Sequence, residues 1–265
     1  MRTGTALVAT AAVLWGSIGI TVRSIDAAGI GVLEASAERV GIAFFGLLTV
    51  ALLSGRIPLR VAGQDLGLFA VYGFTSVALF FVLYFEAIRR TSVATAAILL
   101  HTAPIWASLL SRFVLGEALS SSRIVALAVA FCGCGLVVRA YDPDALRPSL
   151  LGLGSGFTYA LYSIFAKLAL RRYEAGTVLL YALFLVALGL AVGVPPARFA
   201  LRSLEASRAT VIATLEPVVA AVLGYALLGE RLDPPQLLGG LLVLASIRLV
   251  QAEDPQSARA ARANE

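Results

Sequence analysis

Long apolar runs, separated by short polar connections, fill almost the whole of this 265-residue chain. Nine such runs cover roughly residues 4–23, 35–54, 67–87, 93–115, 122–139, 149–170, 177–194, 206–228 and 235–251. An α-helix needs about 20 largely apolar residues to cross a bilayer, and each run is close to that length. The connections carry turn residues and charge: Ser54-Gly55-Arg56-Ile57-Pro58, Tyr141-Asp142-Pro143-Asp144, Arg171-Arg172-Tyr173-Glu174, Pro195-Pro196 and Asp233-Pro234-Pro235. Gly, Pro and Asp at these points break helices. Most connections are short, which makes consecutive helices antiparallel neighbours. No strand pattern and no soluble domain interrupt the series. The pattern predicts an all-α, multi-pass transmembrane helix bundle.

The runs repeat. Pro104 falls on Pro217, Gly116 on Gly229, Glu117 on Glu230, Leu119 on Leu232 and Ala87 on Ala200, each 113 residues apart. The opening helices match at a different spacing: Trp15-Gly16 falls on Tyr159-Ala160 and Arg23 on Lys167, 144 residues apart. The extra 31 residues are one helix and a loop. The repeat therefore divides the chain into a five-helix half, 1–140, and a four-helix half, 145–251, with one helix missing near 196–204. The partner of the third run would fall there, where only Ala197-Arg198-Phe199-Ala200-Leu201-Arg202-Ser203 remains. The stretch from Pro195 to Glu205 is expected to be the least regular part of the membrane domain.

Composition agrees with the membrane reading. The chain is 59% hydrophobic and 14% charged, with a mean hydropathy of +0.89, whereas soluble domains carry roughly 25% charged residues. The net charge of +5 sits in the connections and forms no basic cluster with interleaved aromatics, so nucleic acid is not an expected partner. With the N-terminus in the cytoplasm and a tenth helix restored, Arg and Lys divide 13 inside to 8 outside, as the positive-inside rule requires. Nine strictly alternating helices reverse the division to 9 against 12. The loop charges thus suit ten helices. The segment Met1–Ile20 has the look of a secretory signal, but its apolar run continues to Val22 and more membrane sequence follows, so it is expected to stay as the first helix. The tail, 252–265, is polar and expected to be disordered.

Glycines crowd several runs, at 133 and 135, at 152, 154 and 156, and at 239 and 240. In lipid, close backbone approach replaces the hydrophobic effect as the packing force. Cys132 and Cys134, two positions apart on one helix, point to different faces and read as small packing residues, not as metal or redox ligands. No metal site and no cofactor are expected. Every aspartate lies in a connection, which argues against an intramembrane aspartyl protease. The run Gly152-Leu153-Gly154-Ser155-Gly156 lies inside a membrane helix and does not cradle phosphate. The chain is not expected to be an enzyme.

Each half opens on an aromatic-small pair (Trp15-Gly16; Tyr159-Ala160) and closes on a Pro-centred helix ending in Gly-Glu (Pro104 to Gly116-Glu117; Pro217 to Gly229-Glu230). With Leu215-Glu216-Pro217-Val218 and Arg39 at the head of the second run, the chain resembles the EamA-type transporters of the drug/metabolite transporter superfamily from about residue 5 to 250. The resemblance implies two inverted five-helix repeats, cytoplasmic termini, a location in the plasma (inner) membrane, and export or exchange of small metabolites such as amino acids by alternating access. The chain departs from the family by lacking the eighth helix, which helps to wall the central cavity. The alternative is therefore a non-transporting membrane remnant or scaffold. Monomer and homodimer both remain open.

Glu216 stands near the middle of an apolar run, where a carboxylate costs at least about 2.5–3.5 kcal/mol to insert. It is suited to binding a substrate amine or carrying a coupling proton, or it is satisfied structurally by the backbone that Pro217 opens. Pro104 and Pro217 remove helix hydrogen bonds and either hinge their helices or shape the cavity. His101, the single histidine, is a proton relay or a neutral donor to a nearby carbonyl. Trp15, Tyr159 and Tyr162 fall where the family's cavity is lined, or they pack the bundle, and Tyr84 near the end of the third run joins that set. Glu86 is expected to pair with Arg89 or Arg90. Arg39, Arg112 and Lys167 are expected to reach for the headgroups, and Glu117 and Glu230 to cap or orient loops.

Overall fold

The protein is described here by a computed structural model covering residues 16–114, 116, 119–139, 142–193 and 216–252. It is helical throughout, with no strand among these residues. The helices are α1 (Ile18–Ala27), α2 (Val32–Ser54), α3 (Leu66–Gly73), α4 (Leu79–Arg90), α5 (Val93–Leu100), α6 (Ala103–Val114), α7 (Ser121–Val137), α8 (Pro143–Ala169), α9 (Ala175–Gly193), α10 (Glu216–Leu228) and α11 (Pro234–Ala252). A π-turn, Phe74–Ala78, joins α3 to α4, so Gly63–Arg90 forms one continuous span. Four stretches are long and apolar enough to cross a membrane: Val32–Ser54, Gly63–Arg90, Val93–Val114 and Pro143–Ala169. The other helices are shorter over their described lengths.

Local sequence explains the ends. Ser92 Oγ accepts the Thr95 N–H at 3.0 Å and starts α5; Ser120 Oγ accepts the Arg123 N–H at 3.2 Å and starts α7. These are N-caps, which satisfy donors that a helix cannot satisfy itself. α8 begins six residues before its expected start at 149. Asp142 Oδ1 accepts the Asp144 N–H at 3.0 Å and Pro143 takes the first position, where a missing N–H costs nothing. Hydropathy cannot register that polar first turn. The fourth run, expected as one helix over 93–115, is two: α5 stops at Leu100 and α6 starts at Ala103. Pro104 sits in the first turn of α6, and its ring excludes a continuous helix through the preceding turn. Gly116 and Gly229, the repeat-related residues after α6 and α10, both adopt left-handed backbone, with φ of 70° and 67°. Only glycine does so without strain, which is why both Pro-centred helices stop at Gly-Glu.

Two loop faces are defined by contacts. On one, Arg23 Nη2 donates to Thr91 O and to Glu230 Oε1, and Arg139 pairs with Asp233. On the other, Asp65 accepts from Tyr173 Oη at 2.6 Å and Arg172 Nη1 at 3.0 Å, while Thr177 donates to Pro58 O and Tyr181 to Leu59 O. α9 starts at the Asp65 face and runs toward the Arg23 face. α10 runs the same way, ending beside Arg23, and α11 starts there and returns. Strict alternation of nine helices would have reversed α10 and α11. The last two helices instead hold the orientation of a ten-helix chain, an arrangement the loop charges alone left open. The stretch Pro195–Glu205, the missing-helix region and the tail beyond Ala252 lie outside the described residues.

Small residues set the packing. α7 and α11 form the most extensive helix pair. A Cβ at Gly133 would meet Gly239 O at 2.7 Å, and one at Gly239 would meet Leu136 Cβ at 2.8 Å. On α8, a Cβ at Gly152 would meet Leu99 Cδ1 at 2.8 Å, and one at Gly156 would meet Leu99 O at 2.7 Å. Cys134 is buried and Cys132 exposed, in line with their opposite faces.

Candidate functional site

The break in the fourth span places the site. Because α5 ends at Leu100, His101 caps the helix: its backbone N–H donates to Ala97 O and its Nδ1 lies 2.8 Å from the same oxygen. A carbonyl only accepts, so Nδ1 carries the proton in this geometry. That leaves Nε2 facing α10, where the Glu216 Oε2 lies at 3.8 Å. The separation is too long for a direct hydrogen bond and within ion-pair range. Glu216 is 7% exposed and begins the described part of α10, with Pro217 fully buried behind it. Two ionisable groups from helices far apart in the chain thus meet inside the bundle.

Arg39, Tyr84 and Tyr159 complete the electrostatic surroundings of Glu216. The Arg39 guanidinium lies 4.9 Å over the Phe81 ring, a cation–π contact. The sequence points Arg39 toward the headgroups; its interaction with Tyr84 and Glu216 depends on how the helices pack and is not legible in the sequence. Tyr84 is 3% exposed, Tyr159 is 44% exposed and Tyr162 is half-buried. Their rings form a train: Tyr72 meets Tyr162 edge-on at 5.1 Å, Tyr162 stacks on Tyr159 at 6.0 Å, Tyr159 reaches Phe80 at 5.2 Å, and Phe80 stacks on Tyr84 at 5.9 Å. Such a wall, apolar with polar tips, suits an amphipathic ligand. Of the residues singled out from sequence, Tyr84, His101, Tyr159, Tyr162 and Glu216 are gathered around one region; Trp15 lies outside the described residues. Pro104 lies one turn beyond His101.

Other residues have structural partners. Glu86 accepts from Arg89 at 2.9 Å and Arg90 at 2.8 Å, the expected ion pair, and Arg89 also meets Asp26 at 2.6 Å. Glu230 caps a helix other than its own: its Oε2 accepts the Val93 N–H at 2.8 Å. Glu117 lies outside the described residues. Among the described residues no three His, Cys, Asp or Glu side chains converge as a metal site requires.

An all-helical bundle with several spans long and apolar enough to cross a membrane defines a multi-pass membrane protein. The chain belongs to the EamA-like transporter family, which matches residues 2–139 and 179–251. It is 30% identical to an uncharacterized transporter of Archaeoglobus fulgidus over 96% of this chain and 98% of the relative. It is 28% identical to a probable terminal-alkyne amino-acid exporter of Streptantibioticus cattleyicolor over 90% of each. An uncharacterized inner membrane transporter of Salmonella typhimurium is 24% identical over 98% of this chain and 99% of its own length. One solved crystal structure superposes with a TM-score of 0.56 over 94% of this chain and 98% of that chain, at 16% identity; that likeness concerns the fold.

Proposed function

We propose that the protein is a secondary transporter that exports small amino acids or related amines across the plasma membrane, with both termini in the cytoplasm and no enzymatic step. The observation that carries this reading is the Glu216–His101 pair, at 3.8 Å and buried, with one partner from each half. In alternating access the two halves rock about a central site. A pair of ionisable groups bridging them couples that motion to what occupies the site. A substrate ammonium competes for the Glu216 carboxylate and releases His101. A proton taken up at this pair leaves or returns as the halves separate. Tyr84 and Tyr159 flank the pair and supply the apolar wall for the substrate's carbon skeleton. The exporter relative supports amino acids as the first substrates to test.

The test is counterflow of labelled amino acids by the purified chain in proteoliposomes, with and without an imposed pH gradient. Glu216→Gln should fold and elute as the parent does and lower transport at least about tenfold, the equivalent of 1.4 kcal/mol. Transport unchanged by Glu216→Gln would remove the pair from the mechanism. No transport of any amine or amino acid by the intact chain would favour the remnant reading.

A further inference from the structure

A cavity of about 270 Å³ opens at the Arg23 face, away from Glu216, and its chemistry is that of an anion site. Three arginines line it, Arg90, Arg139 and Arg231, against one carboxylate, Asp144. Ser92, Thr95 and Gln236 add hydroxyl and amide groups to its wall. Three helices also begin here: α5 at Val93, α8 at Pro143 and α11 at Pro234. Carboxylates of Glu230 and Asp142 already cap α5 and α8, so the positive charge of this space comes from the three guanidinium groups.

The arginines differ in how far their surroundings occupy them. Arg231 is exposed and has no hydrogen-bond or ion-pair partner among the described residues. Arg139 pairs with Asp233 through a terminal nitrogen, while its Nε is buried with no hydrogen-bond partner. Its backbone is left-handed, with φ of 49°, a conformation that non-glycine residues rarely hold, and its side chain lines the cavity. Arg90 shares Glu86 with Arg89, so that one carboxylate serves two guanidinium groups.

We propose that this cavity binds the phosphate group of an anionic ligand at the membrane surface. Guanidinium forks match phosphate oxygens, and the volume suits a headgroup-sized anion rather than a larger solute. The site lies where the span ending at Arg90 gives way to the span starting at Val93, so a lipid phosphate at the end of these spans is within reach of its guanidinium groups. The same chemistry would take a phosphate-bearing solute from the aqueous side. Neither ligand touches the Glu216–His101 pair, and the site stands whether or not that pair transports amines.

Thermal unfolding of the purified full chain in neutral detergent tests this, with added phosphatidylglycerol, phosphatidylcholine or inorganic phosphate. Phosphatidylglycerol should raise the midpoint and phosphatidylcholine should not. A matching rise with inorganic phosphate would assign the site to a soluble anion; a rise with the lipid alone would assign it to the headgroup. Arg231→Gln removes a side chain with no partner to lose, and Arg90→Gln serves as a second variant. Each should weaken half-saturation about fivefold, whereas Arg56→Gln on the opposite face should leave it unchanged. No rise with either phosphate source, or an equal response in both cavity variants and the parent, would overturn the proposal.

Discussion

Arg23 and Glu230, 207 residues apart, meet at 3.1 Å where the first helix ends and α10 gives way to α11. The same carboxylate accepts the first backbone N–H of α5, and the same guanidinium donates to Thr91 O and Arg89 O. Three segments are tied together by one partly exposed pair. Exposed ion pairs contribute little, a median of about 0–1 kcal/mol, but a carboxylate that also caps a helix leaves an unsatisfied donor behind when removed. Glu230→Ala should therefore lower the unfolding midpoint more than Arg23→Ala, whose loss costs about 0.5 kcal/mol after screening. Arg23→Glu with Glu230→Arg should recover part of the pair but not the cap. Equal effects of the two alanine variants would show that the cap adds nothing.

The α7–α11 contact makes a prediction about shape. Gly133→Ala and Gly239→Ala each push a methyl group into the facing backbone or side chain, and overpacking of this kind costs typically about 1–3 kcal/mol. Gly135 has open space around it, so Gly135→Ala should leave the midpoint unchanged or raise it. Midpoints of the three variants, measured in one detergent, check the ranking.

Pro104 interrupts the fourth span directly after His101 and Thr102. Pro104→Ala restores a donor and permits helix through residues 101–103. His101 would then turn with the helix and lose its place opposite Glu216. Stability should hold or rise while transport falls at least about tenfold, which is 1.4 kcal/mol. Full transport by this variant would show that the break has no part in the mechanism.

The orientation of α11 is directly testable. It leaves the Arg23 face beside Asp233 and ends at Ala252, so its last turn belongs to the Asp65 face. A cysteine at Gln251, in a background where Cys132 and Cys134 are replaced by serine and alanine, should be labelled from the same side as one at Arg56. Labelling from the opposite side would mean that α10 and α11 are inverted relative to the structure.

Much of the architecture was legible along the chain because it rests on local chemistry. Apolar length sets the spans, and Gly116 and Gly229 set helix ends, each through backbone groups within a few residues. The Arg and Lys distribution across the loops suited ten helices but left the orientation of α10 and α11 open, and the fold decides it. Hydropathy missed the polar first turn of α8 and the break between Leu100 and Ala103, since neither changes apolar content. What only the tertiary structure decided is which side chains meet. His101 faces Glu216, Arg39 turns to Phe81 and Tyr84, Arg23 reaches Glu230, and Arg90, Arg139 and Arg231 surround one cavity. Those meetings depend on the rotation and tilt of each helix. In lipid, where burial of apolar surface gives no directional push, rotation and tilt are set by how closely backbones approach at Gly133, Gly152, Gly156 and Gly239.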